Sequence, residues 1–242
     1  MIWNCKFTLQ HYKEVLSYAK KQYTFQTFSE YVNSPKQSHA ILLRHDVDYS
    51  IDKAFEMAKL ESSLGIKSTY FVLLRASFYN PYSPTNTSHL KKILELGHEI
   101  GLHYDSTELS KEKFPYKKLK EEINQLEQII DHKIFVIAQH NPTISPKLNK
   151  IPEKFLDVRE SKIFKSIPYI SDSVKNWRAG CMCNHIGKET ILQILIHPIW
   201  WTQKQKTIDT ILNEIVADYN IQISKAKKIH LKYLKDLKSI KN

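Results

Sequence analysis

Leu42-Leu43-Arg44-His45-Asp46-Val47-Asp48 is the stretch on which the fold turns. With Ala40 and Ile41 before it, it is a short apolar run that ends in ionisable residues. Such a run suits a strand buried on both faces, the condition of a parallel sheet. Ser50 follows as an N-cap for a helix whose apolar face is Ile51, Ala54, Phe55 and Ala58, with Met57 beside it, and Gly65 ends that helix. Thr69 to Leu74 is β-branched and aromatic and reads as a second strand. One strand, one helix and one strand in some thirty residues form a βαβ unit.

The same alternation extends in both directions. A loop with Asn80-Pro81 and Ser83-Pro84 leads to a helix carrying Leu90, Ile93, Leu94 and Leu96, stopped by Gly97. His98 to His103 reads as a third strand, Lys117 to Ile130 as a helix, and Ile134 to Ala138 as a fourth strand ending at Gln139-His140-Asn141-Pro142. Beyond Pro142 the pattern weakens. Ile167 to Ile170 and Ile191 to Ile196 read as further strands. On the N-terminal side, residues 8–32 read as helical, broken by Asn33-Ser34-Pro35. A long helix runs from about Ile208 to the end. The expectation is an α/β fold with parallel strands: one domain over 1–242, a helical extension over 1–38 and a basic helix over 205–242.

Composition sets bounds. The chain has 242 residues, 42% hydrophobic and 25% charged, the profile of an ordinary globular protein. Its formal charge of +11 is concentrated in the tail, where Lys225, Lys227, Lys228, Lys232 and Lys235 crowd together. No nucleic-acid motif accompanies that charge. Interleaved with Ile223, Ala226, Ile229, Leu234 and Leu237, the lysines describe a basic amphipathic helix, either docked with a solvated face or contacting an anionic membrane surface. Three cysteines argue against a disulfide framework. Cys181-x-Cys183 near His185 lacks the second pair of a zinc motif and reads as loop or buried cysteines. No basic, apolar leader pattern is visible, which sets the expectation of a cytoplasmic protein.

Five strand ends carry ionisable residues: Asp46 with Asp48, His103 with Asp105, His140, Asp172, and His197. In a parallel barrel those ends share one face, and active sites occupy that face. Carboxylates and imidazoles there are metal ligands or general acids and bases. Alternation along a strand turns Asp46 and Asp48 to the same side.

Leu42 to Asp48, Gly65-Ile66-Lys67-Ser68-Thr69-Tyr70-Phe71, Gly97-His98-Glu99-Ile100-Gly101-Leu102-His103 and Leu195-Ile196-His197-Pro198, in this order, resemble the polysaccharide deacetylases. The resemblance implies a distorted (β/α)7-type barrel and hydrolysis of an N-acyl group on a sugar, with one divalent metal ion, zinc, as cofactor. It places the general base on Asp46, metal ligands on Asp48 and His103, and the general acid on His197. Two departures stand out. The family's paired Asp residues are adjacent, whereas Val47 separates them here, and the family's second His falls on Thr107. His140 is the candidate for the missing ligand, with Asp105 as the alternative. Asp105, Asp172, Arg178 and Trp201 are the substrate-side residues: Asp172 to orient His197 or bind substrate, Arg178 to bind a carboxylate or phosphate, and Trp201, with Trp200, to form a stacking wall. Loop structure and core packing are the plainer roles for these four. His98, at the start of its strand, is read as a structural, hydrogen-bonded histidine. The substrate implied is a carbohydrate or nucleotide sugar of surface-polysaccharide biosynthesis. Two other readings stay open: a metal-independent amide hydrolase on the same fold, and an inactive carbohydrate-binding protein.

Overall fold

A computed structural model describes residues 3–33, 39–148, 151, 154–159 and 161–240. In chain order the elements are α1 (Leu9–Ala19), β1 (Thr24–Gln26), α2 (Phe28–Asn33), β2 (Ala40–Val47), α3 (Ile51–Ser63), β3 (Thr69–Val72), α4 (Pro84–Glu95), β4 (Glu99–Tyr104), α5 (Ser106–Leu109), α6 (Pro115–Ile130), β5 (Val136–Gln139), β6 (Leu156–Asp157), α7 (Lys162–Lys165), β7 (Tyr169–Ser171), β8 (Ile191–Ile196) and α8 (Ile208–Ile240). The chain divides into two units, residues 1–205 and 206–242.

In the first unit the strands form one sheet in the order β6-β5-β4-β3-β2-β8-β7, with every pairing parallel. The two end strands bring residues to the same cavity: Arg159, just after β6, and Tyr169 to Ser171 of β7 both line it. The sheet therefore curls on itself, as in a distorted (β/α) barrel.

The pleat separates two apolar layers. Tyr70, Val72, Ile100, Leu102 and Ile137 point outward and pack beneath α3, α4 and α6 through Ala54, Ala58, Ile93, Ile123 and Leu126. Leu42, Phe71, Val136 and Ala138 point inward and form the floor of the curl with Phe28 and Phe164. Gly101 makes that floor possible. A Cβ there would stand 2.7 Å from both the Phe71 ring and the Val136 carbonyl oxygen. The Phe71 ring, fully buried, takes that volume and lies 4.8 Å beneath the Arg44 guanidinium.

The expected helix over residues 8–32 is corrected by the structure. Residues 24–26 are a strand, β1, paired parallel to β2 at Thr24↔Ala40 and Gln26↔Leu42. The reason is a vacancy in hydrogen bonding. β3 pairs only with Arg44 to Val47, so the first half of that edge of β2 needs another partner. Tyr23, Thr24 and Phe25 are residue types that favour such a place. The main path of the sheet runs through seven strands, and β1 adds an eighth beside β2 among the described residues. Ser34 and Pro35, the expected helix break, lie outside the described residues. Ser50 caps α3 as expected, its side chain accepting from Lys53 N, and α3 ends before Gly65, whose φ is +65°.

The second unit holds α8, along which Ile221, Ile223, Ile229, Leu231, Leu234 and Leu237 are exposed beside the lysines. No helix among the described residues is long and apolar enough to cross a membrane.

Candidate active site

The end of β2 sets the site. Arg44 and Asp46 share the inner face, and both are buried. Arg44 donates from Nε to Asp46 Oδ1 at 3.1 Å, and from one terminal nitrogen to Oδ1 at 2.7 Å and Oδ2 at 2.9 Å. Burial by itself would raise the Asp46 carboxyl, but Arg44, followed by His103 and His197, holds it below the usual carboxylate range. Arg44 had no assigned role in the sequence. The available signal was a charged residue inside an apolar strand, two positions before an aspartate, because a buried Arg needs a partner on its own face.

His103 is the penultimate residue of β4 and pairs with Ala138 of β5. Its Nδ1 lies 2.9 Å from the Ala138 carbonyl oxygen. A carbonyl only accepts, so Nδ1 carries the proton and the Nε2 lone pair faces inward. Burial lowers the His103 pKa despite Asp46 and Asp48, so the ring is neutral at neutral pH. Its Nε2 is 3.4 Å from Asp48 Oδ1, 3.5 Å from Asp46 Oδ2 and 3.2 Å from His140 Nδ1. His140 Nδ1 is in turn 3.5 Å from Asp48 Oδ1.

Asp48, His103 and His140 thus form a candidate metal centre, each with one ligand atom within 4.8 Å of the others. Asp48 Oδ1 tests the fit. It is buried and accepts no hydrogen bond, and two imidazole nitrogens face it. Ligand atoms around a tetrahedral zinc at roughly 2.1 Å stand about 3.4 Å from one another, and the observed separations of 3.2–3.5 Å match that edge. The Ala138 carbonyl on the far side of His103 is the kind of partner that orients a ligating imidazole. The side chain of Asn141 sits 2.8 Å from His140 Nε2, and turning its amide offers an oxygen to an Nε2 proton. The residues present fit a divalent ion.

His197 approaches from the end of β8, its Nε2 3.8 Å from Asp48 Oδ2. Asp172, fully buried after β7, accepts from His197 Nδ1 at 2.7 Å, from the His197 backbone amide at 2.9 Å and from Trp201 Nε1 at 2.8 Å. Burial opposes the charged imidazolium, but the Asp172 hydrogen bond and charge outweigh it and push the His197 pKa up to about 9. The His197 imidazole is therefore predominantly protonated at neutral pH and can donate a proton there.

These groups line a cavity of about 530 Å³. Arg44, Asp46, Asp48, His103, His140 and His197 converge there, and Arg178 and Arg159 stand exposed at its rim. Two substrate-side expectations, Trp201 and Asp105, need correction, and Asp172 takes the first of its two expected roles. Trp201 is 1% exposed and is not part of the lining, so it offers no stacking wall. Its indole is committed to Asp172. Asp172 orients His197 and is itself shielded from the cavity. Asp105 caps α5, accepting from Thr107 N and Glu108 N, which takes it away from both substrate and metal. Arg159 was not anticipated, because the brief β6 that positions it has no periodicity to read.

On the outer face of β2, His45 Nε2 is 2.8 Å from Glu61 Oε1. Glu61 is fully buried and accepts from Tyr12, Ser68 and Tyr70 at 2.5, 2.6 and 2.9 Å. His98 is hydrogen-bonded to the Ala58 carbonyl and to Ser68, as a structural histidine. This network fastens α1 and α3 to the strands behind the site.

No protein-family model and no curated protein sequence matches the chain. Among solved structures, it is similar to the peptidoglycan deacetylase PdaC from Bacillus subtilis, with a TM-score of 0.47 at 14% identity over 80% of this chain and 98% of that one. It is similar to the deacetylase PplD from Streptococcus pyogenes, solved with acetate, with a TM-score of 0.45 at 12% identity over 77% and 79%. A third is BA3943 from Bacillus anthracis, described as a CE4 family pseudoenzyme, with a TM-score of 0.42 at 13% identity. That match covers 76% of this chain, which spans 63% of the pseudoenzyme's length.

Proposed function

We propose that this chain is a divergent polysaccharide deacetylase, a metal-dependent hydrolase that removes an N-acyl group, acetyl in the simplest case, from a sugar. One observation carries the reading: an ionised carboxylate, three converging metal-type ligands and a protonated imidazole share one cavity, although they arise from four separate strand ends.

Asp48, His103 and His140 would hold a divalent ion. A divalent cation there supplies Lewis acidity toward an acyl oxygen and acidifies a nearby water. Asp46 takes the proton from the attacking water. Arg44 keeps Asp46 anionic and in place, which makes it a weaker base but one always in its basic form. His197 protonates the departing amine, and Asp172 holds it in the tautomer and charge state for that step. Arg159 and Arg178 at the rim suit a substrate bearing a carboxylate or phosphate. His140 takes the place that Thr107 cannot fill.

The test is direct. Protein loaded with zinc is incubated with acetylated amino sugars and oligosaccharides, and released acetate and free amine are measured. Release that is abolished by Asp46→Asn while the metal stays bound supports the proposal. Sugar binding with no release, unaltered by Asp46→Asn, would instead favour a carbohydrate-binding role, to which the tight Arg44–Asp46 pair lends weight.

A further inference from the structure

Away from the cavity, a second set of metal-type side chains converges. Cys5, His11, Cys181 and Cys183 each present one ligand atom, and the four atoms all lie within 4.8 Å of one another. Cys5 Sγ is 3.4 Å from Cys183 Sγ, and His11 Nε2 is 3.2 Å from Cys181 Sγ. All three cysteines are free. His11, Cys181 and Cys183 are buried, while Cys5 lies at the surface.

The arrangement has the proportions of a tetrahedral site. Zinc bonded to sulfur at about 2.3 Å and to nitrogen at about 2.0–2.1 Å sets neighbouring ligands roughly 3.5–3.8 Å apart. The observed contacts are a few tenths of an ångström shorter, so a modest expansion around an ion accommodates it. The imidazole adds a second indication. His11 is 3% exposed, its Nδ1 has no hydrogen-bond partner, and the polar neighbour of its Nε2 is a thiol. A buried lone pair aimed at sulfur is poorly used unless an ion takes it. The ligands also come from rigid places. His11 lies in the first turns of α1, its backbone N–H held by the Thr8 side chain, and Cys181 stands at the N-cap of a 3-10 turn that contains Cys183.

We propose that Cys5, His11, Cys181 and Cys183 form a second, closed zinc site with a structural role. Cys181-x-Cys183 alone lacked a partner pair, and the fold supplies one from the N-terminus 170 or more positions away. His185 takes no part, since its Nε2 faces the Ala179 carbonyl oxygen at 2.9 Å. The ion ties the segment before α1 to the long connection between β7 and β8. That connection carries Asn176 and Arg178 at the cavity rim. His11 also stacks on Trp201, with 6.4 Å between centroids, and Trp201 holds Asp172. The proposal does not depend on the deacetylase reading.

Metal-free full-length protein, reduced and then titrated with Co²⁺, provides the test, because thiolate ligands give a sulfur-to-cobalt charge-transfer absorption that carboxylates and imidazoles do not. The wild type is expected to show that band, saturating at one thiolate-bound ion per chain. Cys5→Ser, at an exposed position that does not threaten the core, is expected to weaken the band by about one third, in proportion to three thiolates becoming two. Cys181→Ser combined with Cys183→Ser, which leaves a single thiolate, is expected to abolish the band. Asp48→Asn should leave the band intact, which separates this site from the first. No charge-transfer band in the wild type at saturating Co²⁺, or a Cys5–Cys183 disulfide in protein isolated without oxidant, overturns the proposal.

Discussion

Asp172 Oδ1 accepts both the ring Nδ1 of His197, at 2.7 Å, and its backbone amide, at 2.9 Å. One carboxylate oxygen thereby fixes the rotation and the protonated nitrogen of the imidazole that enters the cavity. The other oxygen is held by the Trp201 indole at 2.8 Å, so the carboxylate itself has little freedom. A histidine at a strand end becomes a defined proton donor through residues that never reach the substrate.

Asp172→Asn is therefore expected to lower the His197 pKa from about 9 toward the ordinary imidazole value. The sign follows from the charge lost: an amide no longer stabilises the imidazolium. The alkaline limb of the kcat/KM profile should move to lower pH by one unit or more. An NMR titration of the His197 ring gives the same number without turnover. An unchanged titration would remove Asp172 from the role assigned to it.

Removal of a metal ligand should be equally legible. Asp48→Asn and His140→Ala are each expected to weaken metal binding at the first centre by roughly 100-fold or more, since even the outer partners of ligands are worth 10–100-fold. Elemental analysis after dialysis at controlled free zinc checks this. Thr107→Ala should leave the metal in place, because Thr107 Oγ1 is engaged with Ser145.

Asp46→Asn is expected to reduce turnover by roughly 10²–10⁴-fold, the scale of general-base catalysis. The metal should remain. Arg44→Ala acts differently: it leaves a buried carboxylate without its cation, at a cost to stability of about 3–5 kcal/mol. Urea unfolding should report that loss, with Asp46→Asn milder than Arg44→Ala because an amide still accepts one hydrogen bond.

The buried Glu61 predicts an acid transition. Burial would raise its pKa, but His45 foremost, with His98 and Ser68, brings it down from 4.5 to about 2. The folded value lies below the unfolded one, so the stabilisation is complete above about pH 5 and is lost as the pH falls from 4.5 toward 2. The size is on the order of 3 kcal/mol. In Glu61→Gln the overall stability should be lower at neutral pH and this part of the acid slope should vanish. Chemical unfolding at a series of pH values from about 2 to about 6, which spans the window where the stabilisation is lost, measures it.

Much of this was readable in the chain. The βα alternation announced parallel strands, and the residues at their ends announced a polar face. Ile191 to Ile196 and the Ser50 cap stand where the pattern put them. Within the N-terminal segment the aromatic spacing suits a helix throughout, but the open edge of β2 turns residues 24–26 into a strand. The brief β6 carried too few residues to show any period. Asp105 and Trp201 were drawn toward the substrate by proximity in sequence, yet backbone amides at the start of α5 claim the first and a buried carboxylate claims the second.

The residue types and their order along the chain determined that a parallel α/β fold would form and that carboxylates and imidazoles would end its strands, because side-chain period and strand burial are local properties. Only the tertiary structure decided which of them meet. The curl of the sheet brings His140 to Asp48 and His103 and carries Asp172 behind His197. Folding the N-terminus back also sets Cys5 and His11 against Cys181 and Cys183. Distances of a few ångströms between residues far apart in sequence depend on how strands pair and twist, and no local pattern encodes them.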